Sequence, residues 1–136
     1  DLGRNTPSEL VVASTLRARM CEVLAPFAGW PQQAGDLFMV GLFSLLDAIL
    51  ERPMEDVLKS LPVDTDVRDT LLEKPTPMRS LLDAVVAYEH GAWDVAREKA
   101  GEVGIAEDRV ADCYLQALAW VREIFGQAPQ DTPGRR

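Results

Sequence analysis

Residues 36 to 50 read DLFMVGLFSLLDAIL, and this stretch limits the fold more than any other in the chain. At helical spacing, Leu37, Phe38, Val40, Leu42, Phe43, Leu45, Leu46, Ile49 and Leu50 leave almost no polar face. A helix apolar nearly all round must be enclosed by others. The pattern therefore predicts a central helix over about residues 34–50, with Leu45 in the core. Gly41 is costly inside a helix, which predicts a neighbouring backbone that comes close. No run of 18 apolar residues is uninterrupted, so no membrane-spanning segment is expected.

The rest of the sequence supplies partners for that helix. Thr6, Pro7 and Glu9 form a capping box with proline at the first helical position. Leu10, Ala13, Leu16, Met20, Val23, Leu24 and Phe27 follow as one apolar stripe, with Arg17, Arg19 and Glu22 on the wet side. Pro53 opens a short helix, Asp64 caps another, and Thr76 with Pro77 starts a third that runs to Gly91. Further helices are expected from about Trp93 to Ala100 and from about Ala106 to Phe125, closed by Gly126. No strand alternation appears. The expectation is an all-α, single-domain bundle of about seven helices over residues 1–126, with a polar, disordered tail at 127–136.

Charge and motifs narrow the chemistry. With 22 acidic and 14 basic residues the net charge is -8, which repels phosphate backbones and argues against a nucleic-acid partner. Cys21 and Cys113 lie far apart in helices, so buried free thiols are expected, a single disulfide being the alternative. There is no P-loop, no GxGxxG and no CxxC. Asp64, Asp66 and Asp69 lack the glycine and terminal glutamate of a calcium loop. The one histidine, His90, sits before Gly91 at a helix end, where it reads as a surface residue. One histidine cannot supply a hydrolytic metal centre.

The segment GLFSLLD, Gly41 to Asp47, resembles the central helix of HD-type phosphohydrolases of the HD-GYP class, where a histidine–aspartate pair holds a divalent metal. Ser44 and Leu45 stand at those two positions, and neither residue type ligates metal well. The segments VASTLRARMCEVLA, DLFMVGLFSLLDAILERPMEDVLKSLP and LLDAVVAYEHGAWDVA are similar to the C-terminal part of the HDOD (modified HD-GYP) domain. That domain is found in bacterial proteins that join it to an EAL domain, the cyclic di-GMP phosphodiesterase fold. The likeness covers about residues 10–97. Family domains extend further on the N-terminal side, so the resemblance implies a C-terminal fragment of a longer protein.

What the resemblance implies is an HD-like helical fold whose metal site is degenerate at Ser44, Leu45 and Asp47, with no enzymatic activity and no cofactor. Asp47 shares a helix face with Ser44 at a spacing that allows a hydrogen bond. The expected role is a cytoplasmic signal-transduction module that binds protein, either an upstream EAL-type domain or another signalling protein, with a homodimer as a further form. Phe27, Trp30 and Trp93 are the candidate docking residues, because exposed tryptophan is enriched at binding hot spots. The competing expectation is a residual metal-dependent phosphohydrolase or nucleotide-binding domain built around Asp47.

Overall fold

The capping box forms as its residues require. In the computed structural model, which describes residues 6–126, Thr6 Oγ1 accepts from the Glu9 N–H at 3.1 Å and Glu9 Oε1 accepts from the Thr6 N–H at 2.8 Å. From this cap α1 runs over Pro7–Leu24. Two 3-10 turns, Ala25–Ala28 and Pro31–Gln33, lead into α2, Ala34–Phe43. Then come α3 (Leu46–Leu50), α4 (Met54–Leu58), α5 (Thr65–Leu71), α6 (Pro77–Glu89), α7 (Trp93–Glu102) and α8 (Glu107–Val121), which ends in a π-helical turn, Arg122–Gly126. The described chain is all-helical, as the periodicity predicts. The tail expected at 127–136 lies outside the described residues.

One core joins these helices. Met20, Cys21 and Leu24 of α1, Leu37 and Val40 of α2, Leu81 and Val85 of α6, and Cys113 and Ala117 of α8 are its centre. The closest approach is between α1 and α2, and Gly41 causes it. A Cβ there would lie 2.6 Å from Ala18 Cα and 2.8 Å from Arg17 O, distances no side chain tolerates. Helix α1 also packs on α8 and α6, so α1, more than α2, is the hub of the bundle.

Five expectations need correction. The stretch expected as one helix over 34–50 is two, broken at Ser44 and Leu45. Ser44 Oγ donates to Gly41 O at 2.7 Å, taking the carbonyl that the Leu45 N–H needs for the next helical bond. Leu45 is accordingly half-buried at the start of α3 and outside the core cluster. Nor is the stretch enclosed. Only Leu37, Val40 and Gly41 of α2 are buried, and Leu50 is exposed. Residues 31–50 are long and apolar enough by composition to cross a membrane, yet here they form three separate helical pieces.

The other two corrections concern α1 and α5. Arg17, assigned to the wet side, is 8% exposed, because the inward face of α1 is Ser14, Arg17, Ala18 and Cys21 as well as Met20 and Leu24. Small residues there admit the α2 backbone. Asp64 occupies the N-cap position of α5, but its carboxylate makes no capping bond.

Candidate functional site

The break after Phe43 turns the Ser44 hydroxyl toward α1 and α6. Arg17 Nη1 donates to Ser44 Oγ at 2.9 Å. The same guanidinium makes a two-pronged pair with Glu89 near the end of α6: Nε to Oε2 at 3.0 Å and Nη2 to Oε1 at 2.7 Å. Both side chains are largely withdrawn from water, 9% and 18% exposed. A planar fork meeting a carboxylate in this way is the strong form of an ion pair, and at low exposure it must be fully satisfied to persist. Cys21, one turn further along α1, is completely buried, and that burial pushes its thiol up to about 12; Arg17 opposes the shift and Glu89 adds to it.

A cleft of about 190 Å³ opens beside this network, with Arg17, Ser44, Asp47, Glu73 and Arg79 on its walls. Asp47 accepts from the N–H of Ala48 at 2.9 Å. The predicted contact between Asp47 and Ser44 does not form, because the serine hydroxyl is engaged by Gly41 and Arg17. Leu45 presents no donor atom. Among the described residues no three histidine, cysteine, aspartate or glutamate side chains converge on one point. Positions 44 and 45 therefore offer no ligand set for a divalent metal: the Ser44 oxygen is taken up by the Arg17 guanidinium, itself paired with Glu89, and Leu45 has no donor atom.

Phe27, Trp30 and Trp93 are not brought into one patch. Phe27 is 43% exposed and lies under the Arg109 guanidinium, 4.2 Å from its ring centre. Trp30 is half-buried against the core beside Pro75 and Pro77. Trp93 is 55% exposed at the start of α7, edge-on to Tyr88 with ring centres 5.1 Å apart. His90 is exposed at the end of α6, as expected. Both cysteines are free and buried.

A further set of apolar side chains on α2 and α3 lies outside the core cluster. Phe38, Met39 and Leu42, followed by Leu46 and Ile49 on α3, are half-buried, and none packs against the core cluster. Phe38 meets Trp120 of α8 edge-on at 6.3 Å, and Arg19 lies over Trp120 at 5.1 Å.

Two curated relatives match most of this chain. The chain is 30% identical over 123 residues to "Uncharacterized protein YuxH" of Bacillus subtilis (strain 168), an alignment covering 90% of this chain and 29% of the relative. It is also 30% identical over 118 residues to "Cyclic di-GMP phosphodiesterase CdgJ" of Vibrio cholerae serotype O1, covering 87% of this chain and 27% of the relative. It is homologous to a segment of each. The chain thus spans under a third of the length of these curated relatives. No protein-family profile and no solved structure matches it.

Arg17, Glu89 and Tyr88 are the site residues that sequence reasoning missed. Arg17 and Glu89 are 72 positions apart, and no local pattern joins them. The one available signal was the run of small side chains, Ser14, Ala18 and Cys21, on the same face of α1 as Arg17.

Proposed function

We propose that this chain is a non-catalytic interaction module of a cyclic di-GMP-type signalling protein, of the HDOD kind, acting in the cytoplasm. The observation that supports the reading is a set of apolar side chains on α2 and α3, Phe38, Met39, Leu42, Leu46 and Ile49, that stay only half-buried outside the core cluster. Homology to part of a protein named as a cyclic di-GMP phosphodiesterase supports the signalling context. The guanidinium held against Ser44 supports the absence of metal-dependent hydrolysis, since the serine at a position that resembles a metal ligand is committed to the Arg17–Glu89 pair. In this reading an EAL-type domain of the same or another polypeptide docks on the α2–α3 side chains, and apolar burial gives the affinity.

The test is a binding titration of the purified chain against an EAL-type phosphodiesterase domain, with a Phe38→Glu/Leu42→Glu double variant beside the wild type. Saturable binding that the double variant loses is the expected result. Unchanged binding by that variant refutes the docking face. Manganese-dependent hydrolysis of cyclic di-GMP by the isolated chain refutes the non-catalytic role and restores the phosphohydrolase alternative.

A further inference from the structure

The turn His90–Ala92, with Gly91 at φ +73°, brings α7 back along α6 and sets Trp93 beside Tyr88. Tyr88 in turn packs on Tyr114 of α8, with ring centres 5.2 Å apart. The first turn of α8 supplies Glu107 and Asp108, and these two carboxylates with Tyr88 and Trp93 line an open groove of about 660 Å³. Aromatic faces carry negative quadrupole charge, and two carboxylates add formal charge.

Two other aromatic rings of the chain are already covered by a cation. Phe27 is covered by Arg109 at 4.2 Å and Trp120 by Arg19 at 5.1 Å. Trp93 is more exposed than Phe27, and no arginine lies over it among the described residues. Arg97, one turn along α7, is held by Asp94 at 2.6 Å and pairs with Glu107 at 3.6 Å. Asp108 makes no ion pair among the described residues.

We infer that the Trp93–Tyr88 groove binds the cationic side chain of a partner protein, an arginine or lysine laid on the indole face with its charge toward Asp108 and Glu107. The inference deepens the interaction-module reading by giving the partner a chemistry. It does not use the α2–α3 side chains, so the two stand or fall separately. The chain's net charge of -8 favours approach of a basic segment over the whole surface, and the aromatic pair gives that segment a place to stop.

The experiment is an NMR titration of the whole chain with the capped peptide acetyl-Gly-Arg-Gly-Arg-Gly-amide, and with the same peptide carrying citrulline in place of arginine. Citrulline keeps the shape and removes the charge. Expected are saturable shifts of the Trp93 indole N–H signal with the arginine peptide and none with the citrulline peptide. Read on the backbone amide signals of Tyr88, Glu107 and Asp108, which remain when the indole is gone, Trp93→Ala abolishes the arginine-dependent shifts at unchanged circular dichroism, and Asp108→Asn weakens binding by up to about fivefold, the size of an exposed ion pair. Trp93→Phe, which keeps an aromatic face, retains part of the affinity. Equal response to both peptides overturns the inference. So do shifts spread over the acidic surface that survive Trp93→Ala.

Discussion

Replacing Gly41 with alanine tests the packing logic of the domain most directly. On propensity alone the change stabilises a helix interior by about 1 kcal/mol. The structure reverses that sign. The added methyl would meet Ala18 Cα at 2.6 Å, and Ala18 N and Arg17 O at 2.8 Å, all backbone atoms that no rotamer change can move. Ordinary contact begins near 3.4 Å, so α2 must retreat from α1 by about 0.8 Å. A gap of that size forfeits roughly a quarter to a half of the dispersion energy of the contacts it opens. It also stretches the 2.9 Å bond from Arg17 to Ser44 out of range. Overpacking of this kind costs about 1–3 kcal/mol even where side chains can yield, and here they cannot. The expected net loss is about 2–3 kcal/mol, seen as a melting temperature lower by roughly 10 °C in a domain of this size. Gly35→Ala is the internal control: it lies in the same helix, and nothing stands within 4 Å of its added methyl. Thermal unfolding followed by circular dichroism, with urea titrations for the free energies, reads both. If Gly41→Ala melts at or above the wild-type temperature while Gly35→Ala is neutral or stabilising, as its open surroundings predict, the α1–α2 approach is not as close as described and the reasoning fails.

Two further perturbations bear on the polar network. Glu89→Ala strands the Arg17 charge at low exposure and should cost about 3 kcal/mol in urea unfolding, whereas Arg17→Met with Glu89→Leu should recover most of that loss, because an apolar pair replaces two buried ions. A double variant no more stable than the single one would contradict this. Cys21 gives a pH signature. Its folded thiol is raised to about 12 from 9.0, so its contribution is fully present below about pH 9 and is lost as pH rises toward 12. Stability of the wild type should fall over that window by up to about 1.4 kcal/mol per pH unit, and Cys21→Ala should flatten the slope. Equal slopes for the two proteins would remove the thiol from the account.

Much of the fold was written locally. Thr6 with Glu9 and Thr76 with Pro77 announce helix starts by side-chain chemistry that needs no tertiary partner, and both caps form. Gly41 announced a close backbone because its cost in a helix needs a compensating reason, and Ala18 supplies it. What escaped the sequence depends on distance or on competition. The break at Ser44 turns on whether a hydroxyl or an amide takes the Gly41 carbonyl, a contest of small energies decided by Arg17 from another helix. The burial of Arg17 depends on Glu89, which no periodicity connects to it. Periodicity also misjudged the apolar stretch: it registers how much surface a helix wants covered, and residues 38–49 want more than this unit provides. Of the three aromatic residues expected to dock a partner, only Trp93 has both exposure and charged company of the right sign.

The Arg17–Glu89 pair constrains what nearby substitutions can accomplish. Installing histidine at 44 would add a donor group to a socket that still holds a guanidinium, and position 45, which does not line the cleft, would not bring a carboxylate to it. Arg17 would have to leave first, and its departure orphans a mostly buried Glu89. Each member can be exchanged only at the expense of the other. Any route of single substitutions between this arrangement and a metal-binding one crosses a valley of several kcal/mol, a large share of what a small domain has to lose. The pair acts as a ratchet on the sequence, and its tooth lies on helices that periodicity gave no reason to connect.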